Sequence, residues 1–202
     1  MNNLTHCGTL KIATERLYLK RIEKYDATSM HSNFASDDRV SQYMSWDSFK
    51  AVEDVKKYID EWQEEYKKDD TYYWGIYLKS SNEIIGTVYL LTEDSIAKVA
   101  SLSYCIGYNY WGNGYTCEAV KAIIDFAFTN MEYNRVEAYH AKSNTQSARV
   151  MQKTGMKLDG TLRQRCKTFN GFEDCIYYSI LKEEYKNDKT RNDDYGLQPT
   201  CY

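Results

Sequence analysis

The sequence predicts an α+β fold: a central, mixed, largely antiparallel seven-stranded sheet flanked by four helices. Three observations carry that expectation. One strand-period run and two helix-period runs open the chain, and three β-rich runs separated by polar turns follow. The remainder alternates helix, strand and helix before two closing strands.

Residues 14–21 place Leu17 and Leu19 on one side and Tyr18 and Lys20 on the other, the alternation of a half-buried strand. Asp26 can cap a helix whose Ala27, Met30 and Phe34 share a face. Ser48 can cap a second one, with Val52, Val55, Ile59, Trp62 and Tyr66 recurring at steps of three and four. Residues 72–78, 83–91 and 98–108 then read as an antiparallel meander. A glycine-containing turn leads into a strong helix with Ala119, Val120, Ile123, Ile124, Ala127 and Phe128 as its apolar stripe. Residues 135–140 form a strand, and residues 145–154 a short helix that Gly155 stops. Residues 157–163 and 174–181 pair as a hairpin around Asn170 and Gly171.

At 202 residues the chain fits one domain, expected over residues 1–186, with a polar tail from 187 to 202. Apolar residues at 43% and charged residues at 27% describe an ordinary globular protein, and a net charge of −3 gives no reason to expect nucleic-acid binding. The chain shows no apolar run long enough for a membrane span and no signal-peptide core, so a cytoplasmic enzyme is expected. Six cysteines without CxxC spacing read as free thiols in a reducing compartment. Histidines 6, 31 and 140 lie too far apart to suggest zinc, and no metal is expected.

The stretch that carries chemistry is Asn109-Tyr110-Trp111-Gly112-Asn113-Gly114-Tyr115-Thr116, between a strand end and a helix start. Glycines two apart let backbone N–H groups converge on a ligand, and the helix N-terminus adds unpaired donors and a positive dipole end. Such a cradle suits a pyrophosphate, although a plain strand-to-helix turn explains the same glycines. It is not a phosphate-binding loop of the Gly-Lys-Ser/Thr type, and it lacks the third glycine of a dinucleotide fingerprint.

In order and motif the chain resembles the GNAT superfamily of acetyltransferases, whose pyrophosphate loop reads Gln/Arg-x-x-Gly-x-Gly/Ala. It looks closest to the branch of ribosomal-protein alanine and serine N-acetyltransferases. The matching pieces are Thr14 to Leu17, Tyr110 to Tyr115, Glu118-Ala119, Asn144 to Met156, Gly160 with Arg163, and Asp174 to Ser179, spread over roughly residues 10 to 185.

The resemblance implies an acetyl-CoA-dependent N-acetyltransferase. Pyrophosphate would sit on Gly112, Asn113, Gly114, Tyr115 and Thr116, and the pantetheine arm would lie against Tyr104, Cys105 and Ile106. Asn144 would bond the arm and Ser147 would stand near the sulfur as the catalytic group. Asn144 also reads as the N-cap of its helix, and Ser147 as an ordinary first-turn serine. Tyr43, Trp46 and Tyr104 are aromatics that can wall an acceptor cleft or simply pack.

Several positions depart from the family pattern. Asn109 opens the loop, Met151 stands where many members carry an acid tyrosine, and Ser101 where a strand glutamate often serves as base. Residues 163–167 hold no carboxylate. Without a dedicated base, direct attack of the amine on the thioester, aided by proximity and backbone polarisation, is the expected chemistry. A covalent route would need a thiolate at Cys105 or Cys117, and both read as packing residues. The expected acceptor is an amine, foremost a protein or peptide N-terminus. A small-molecule amine or a non-catalytic acetyl-CoA-binding module are the alternatives.

Overall fold

A computed structural model describes residues 4–186, so the expected tail at 187–202, with Cys201 and Pro199, lies outside the described residues. One sheet runs in the order β1-β2-β3-β4-β5-β6-β8-β7. Its strands are β1 (Ile12–Ala13), β2 (Leu17–Lys20), β3 (Tyr73–Leu78), β4 (Ile84–Asp94), β5 (Val99–Ile106), β6 (Arg135–Ala141), β7 (Lys157–Thr168) and β8 (Gly171–Leu181). Every pairing is antiparallel except β5 with β6. The mixed, largely antiparallel α+β sheet expected from the sequence is present. It has eight strands rather than seven, because Ile12 and Ala13 fold back on Leu19 and Tyr18 as a two-residue edge strand too short for periodicity to reveal.

Two apolar layers sandwich this sheet. Helix α4 (Tyr115–Thr129) presses Ala119, Val120, Ile123, Ile124 and Ala127 onto Val88, Leu90, Ala100, Leu102, Val136 and Ala138. Burying a side chain of the Val, Ile or Phe kind contributes roughly 1.5–3 kcal/mol, so this stripe anchors the helix that begins at the glycine loop. On the other face Ile22, Met30, Phe34, Val55 and Ile59 cover Tyr73, Tyr77 and Ile84.

The first predicted helices are more broken than their spacing suggests. A 3-10 turn at Lys24–Asp26 runs into α1 (Ala27–Met30), a π turn at His31–Ala35 and then α2 (Asp38–Ser41). Asp26 stands at the N-cap position of α1, as expected, but its side chain makes no capping bond to that helix. Its carboxylate accepts from the Glu23 N–H at 2.8 Å and from the Tyr77 hydroxyl at 2.6 Å, which pins the turn to the sheet. Ser48 does not cap either: its hydroxyl bonds the Asp38 carboxylate, and α3 (Val52–Glu65) starts after Ala51. The closing hairpin is longer than expected, with β7 reaching Thr168 and β8 starting at Gly171.

One expectation about the cysteines is overturned. Cys7, Cys105 and Cys117 carry thiols, whereas Cys166 and Cys175 are joined in a disulfide across the β7–β8 hairpin, their Cα atoms 5.2 Å apart. Leu162 pairs with Cys175 and Cys166 with Glu173, so three residues bulge between those rungs and bring the two sulfurs together. Sequence spacing cannot disclose that bulge.

Candidate active site

The site begins where the sheet splits. Strands β5 and β6 pair at Val99 with Arg135, Ala100 with Val136 and Ser101 with Glu137, and at no later rung. Beyond Ser101, β5 stays bonded to β4 as far as Ile106, and β6 stays bonded to β8 as far as Ala141. Each strand therefore keeps one edge paired and turns the other into a widening gap. Backbone donors and acceptors on those inner edges require partners, and an amide-bearing arm can supply them as an inserted strand would.

The wide end of the gap leads to the glycine loop. Gly107 ends β5, its N–H donating to the Ile85 carbonyl at 2.8 Å, and a Cβ there would fall 2.2 Å from the Asn33 carbonyl oxygen. Only glycine fits that approach. Trp111 then closes the turn by donating Nε1–H to the Ile106 carbonyl at 2.9 Å. Gly112 and Gly114 take φ of 80° and 78°, the left-handed region that favours glycine. Gly114 is the N-cap of α4 and has no side chain to satisfy the first-turn N–H groups. A Cβ built on Gly112 would meet nothing within 4 Å, so the space over the loop is open. An open N-terminus preceded by two left-handed glycines fits a pyrophosphate.

A carboxylate braces this cradle from behind. Glu118, in the first turn of α4, accepts from the Thr14 hydroxyl at 2.5 Å, the Arg16 N–H at 2.8 Å and Arg16 Nε at 2.7 Å. Arg16 also donates to the Asn113 carbonyl at 2.9 Å and lies over the Tyr115 ring at 4.7 Å. Burial alone would raise the Glu118 pKa, but the bonds from Thr14 and Arg16 outweigh it and hold the group below its ordinary value.

Helix α5 (Thr145–Lys153) forms the far wall. Asn144 is its N-cap, with Oδ1 accepting from the Ser147 N–H at 3.3 Å. Ser147 Oγ lies 2.8 Å from the Tyr104 hydroxyl, which also donates to the Ser147 carbonyl at 3.1 Å. Burial pushes the Tyr104 phenol well above its usual range, and it stays protonated. Burial likewise raises the Cys105 thiol, whose sulfur is 3.2 Å from the Thr87 hydroxyl, so Cys105 is no thiolate nucleophile.

A cleft of roughly 450 Å3 gathers most of the expected residues. Tyr43, Tyr104, Cys105, Ile106, Gly112, Gly114, Thr116, Asn144 and Ser147 line it. Asn113 and Tyr115 are not on its wall; the Asn113 amide turns back to the Tyr110 and Trp111 carbonyls at 3.2 and 3.1 Å. Trp46 is also absent from the wall and packs on Phe49 with ring centroids 5.7 Å apart. The cleft adds residues that the sequence reading did not single out: Arg39, Gln42 and Met44 from the α2 region, and Arg149 and Lys153 one turn apart on α5. The (i, i+4) spacing of Arg149 and Lys153 was the available signal, since it puts two cations on one helix face. For Arg39, which sits 3.7 Å over the Tyr108 ring, local sequence held no signal.

A split mixed sheet with an anion-ready helix start at the mouth of the split can hold an extended ligand that bears amides along an arm and an anionic group at the loop. Comparison with known proteins makes that specific. Residues 16–157 match the Acetyltransferase (GNAT) domain family, and the chain belongs to it. It is 31% identical over 172 residues to the uncharacterized N-acetyltransferase p20 of Bacillus licheniformis, covering 85% of this chain and 96% of that one. A GNAT-family acetyltransferase from Bacillus anthracis superimposes with a TM-score of 0.75 at 26% identity, over 86% of this chain and 99% of that one. The ribosomal-protein-S5-alanine acetyltransferase of Vibrio fischeri shares the fold, with a TM-score of 0.75 at 21% identity over 86% and 97% of the two chains. The protein is an acyl-CoA N-acyltransferase of the GNAT family, a family that uses acetyl-CoA. Among the described residues no helix is long and apolar enough to cross a membrane.

Proposed function

We propose that the enzyme, working in the cytoplasm, transfers acetyl directly from acetyl-CoA to the α-amine at a protein or peptide N-terminus. One observation carries this reading: the described cleft wall holds Arg39, Arg149 and Lys153 but no aspartate or glutamate. With no carboxylate to take a proton, the acceptor must deprotonate easily. An α-amine has a pKa of about 7.7–8.0 against about 10.4 for a lysine side chain, so far more of it is neutral near pH 7. Arg149 and Lys153 add positive charge to the wall, which disfavours a polycationic acceptor, whereas Arg39 is already ion-paired with Asp37 at 2.6 Å. The name of the Vibrio fischeri neighbour, which specifies a ribosomal protein, agrees with such an acceptor.

In this reading the glycine loop from Gly112 to Thr116 holds the pyrophosphate, with Arg149 and Lys153 nearby. The backbone of Tyr104, Cys105 and Ile106 meets the pantetheine arm, which Asn144 also bonds. Tyr43 and Tyr104 wall the acceptor side. The gap holds the reacting atoms in line, so proximity does most of the work. Ser147 steadies the departing sulfur.

Two expected results test the assignment. In competition, short peptides with free N-termini react at higher kcat/KM than N-blocked lysine peptides, spermidine or an aminoglycoside. Faster reaction of the polycations would transfer the assignment to small-molecule amines. Ser147→Ala lowers kcat about 100-fold, near the upper end for a lost hydrogen bond to a charged group, while the acetyl-CoA Kd stays within about threefold. A wild-type kcat would return Ser147 to a structural role.

A further inference from the structure

We propose that Tyr104 is a positioning residue for the leaving thiol, acting through Ser147 so that the two hydroxyls work as one hydrogen-bond donor to the CoA sulfur. The inference rests on the role given to Ser147 above and extends it to a second residue.

The geometry is specific. Tyr104, on β5, pairs with Val88 of β4 and sends its ring to α5, where its hydroxyl meets both Ser147 Oγ, at 2.8 Å, and the Ser147 carbonyl, at 3.1 Å. Both side chains line the cleft beside the gap where the pantetheine arm fits. Met151, one turn further along α5, is 1% exposed within the core and has no hydroxyl to offer. The phenol on β5 is thus the cleft's means of orienting the serine. While the phenol proton points at the Ser147 carbonyl, the serine proton is held on the phenol oxygen. Once a sulfur lies in the gap, the serine proton can turn to it and the phenol can donate to Ser147 Oγ. A donor that itself receives a hydrogen bond is polarised and strengthened.

The step balances without a change in either hydroxyl. The amine lone pair attacks the thioester carbon, the C–N bond forms, and the C–S bond breaks with its electron pair going to sulfur. Ser147 Oγ–H hydrogen-bonds that sulfur while Tyr104 donates to Ser147 Oγ. The new amide nitrogen sheds its proton to water, and water protonates the thiolate. Because burial holds the phenol protonated, Tyr104 orients and polarises but does not give up its proton.

The test is a double-mutant cycle on the full chain with Tyr104→Phe, Ser147→Ala and the pair, each variant checked by thermal melt and by acetyl-CoA calorimetry. Tyr104→Phe is expected to lower kcat about 5- to 10-fold, the range of one lost hydrogen bond, with acetyl-CoA Kd within about twofold. In the Ser147→Ala background the same change should cost less than about twofold, because the serine it acts through is gone. A kcat loss that persists undiminished in that background marks a packing role and overturns the inference. Loss in Ser147→Ala beside a wild-type kcat in Tyr104→Phe overturns this inference alone. A wild-type kcat in Ser147→Ala removes the serine's role and this one with it, and leaves the acceptor assignment to the competition assay. Should Tyr104→Phe not fold, 3-fluorotyrosine at position 104 keeps the shape and sharpens the donor. It must then change kcat in the wild-type background and leave it level in Ser147→Ala; any other pattern overturns the inference.

Discussion

Gly114→Glu is expected to raise the Kd for acetyl-CoA at least about 100-fold, which corresponds to about 2.7 kcal/mol, while the protein still folds. Two effects add. Gly114 holds φ at 78°, where an L-residue costs roughly 1–2 kcal/mol, so the loop will relax away from the shape that aims its N–H groups. The new carboxylate also competes with a pyrophosphate for the helix start and repels it. Gly112→Glu should act in the same direction, since it too is left-handed and lies on the cleft wall. Folding survives in both because the α4 stripe is untouched, and at Gly112 the space over the loop is also open. Calorimetry with acetyl-CoA beside a circular-dichroism melt makes the measurement. Wild-type affinity in both variants would remove the loop from the pyrophosphate site.

Glu118→Ala should lower Tm by about 5–10 °C, the largest stability loss expected from any single polar change near the site. The substitution removes the one carboxylate on which the Thr14 hydroxyl, the Arg16 N–H and Arg16 Nε converge, leaving Thr14 only its bonds to Leu17 and the guanidinium only the Asn113 carbonyl. Breaking a buried ion pair costs about 3–5 kcal/mol. The Arg16 side chain is 37% exposed and regains water, so about 2–3 kcal/mol is expected here. The wild-type pH dependence follows from the sign of the shift. The Glu118 pKa is depressed on folding, so its contribution is fully present above the unfolded value of about 4.3 and is lost as pH falls through the folded value. Wild-type Tm should therefore fall more steeply below about pH 4.3 than Glu118→Ala. Melts of the two proteins between acid and neutral pH would show this, and parallel curves would refute it.

The sequence made the local features legible. The α4 stripe, the N-cap at Asn144 and the paired glycines depend on neighbours within one or two turns, and periodicity or residue type reveals them. Features set by register stayed hidden. Glu118 reaches Arg16 across 102 residues, and Tyr104 reaches Ser147 across 43. Neither pair has a spacing that a linear pattern would flag. Asp26 and Ser48 misled for a related reason: each is a good cap in isolation, but tertiary partners claim the side chains, Tyr77 in one case and Asp38 in the other. The Cys166–Cys175 link needed the bulge in β7 to exist before the two residues could meet.

The three rungs between β5 and β6 have a mechanical meaning. Strands β1 to β5 form one leaf and β6 to β8 another, and along their shared seam the backbone is stitched at one end, from Lys98, whose carbonyl accepts from Asn134 and Arg135, to Ser101. Elsewhere the leaves are held by packing on α4 and α5, which resists separation less directionally than a ladder of hydrogen bonds. On the function proposed above, a ligand arm lying in the seam would complete the stitching, and acetyl-CoA would act as a strut of its own enzyme. Its binding free energy adds to the stability of the filled form by mass action, so rigidity rises and falls with the supply of acyl donor.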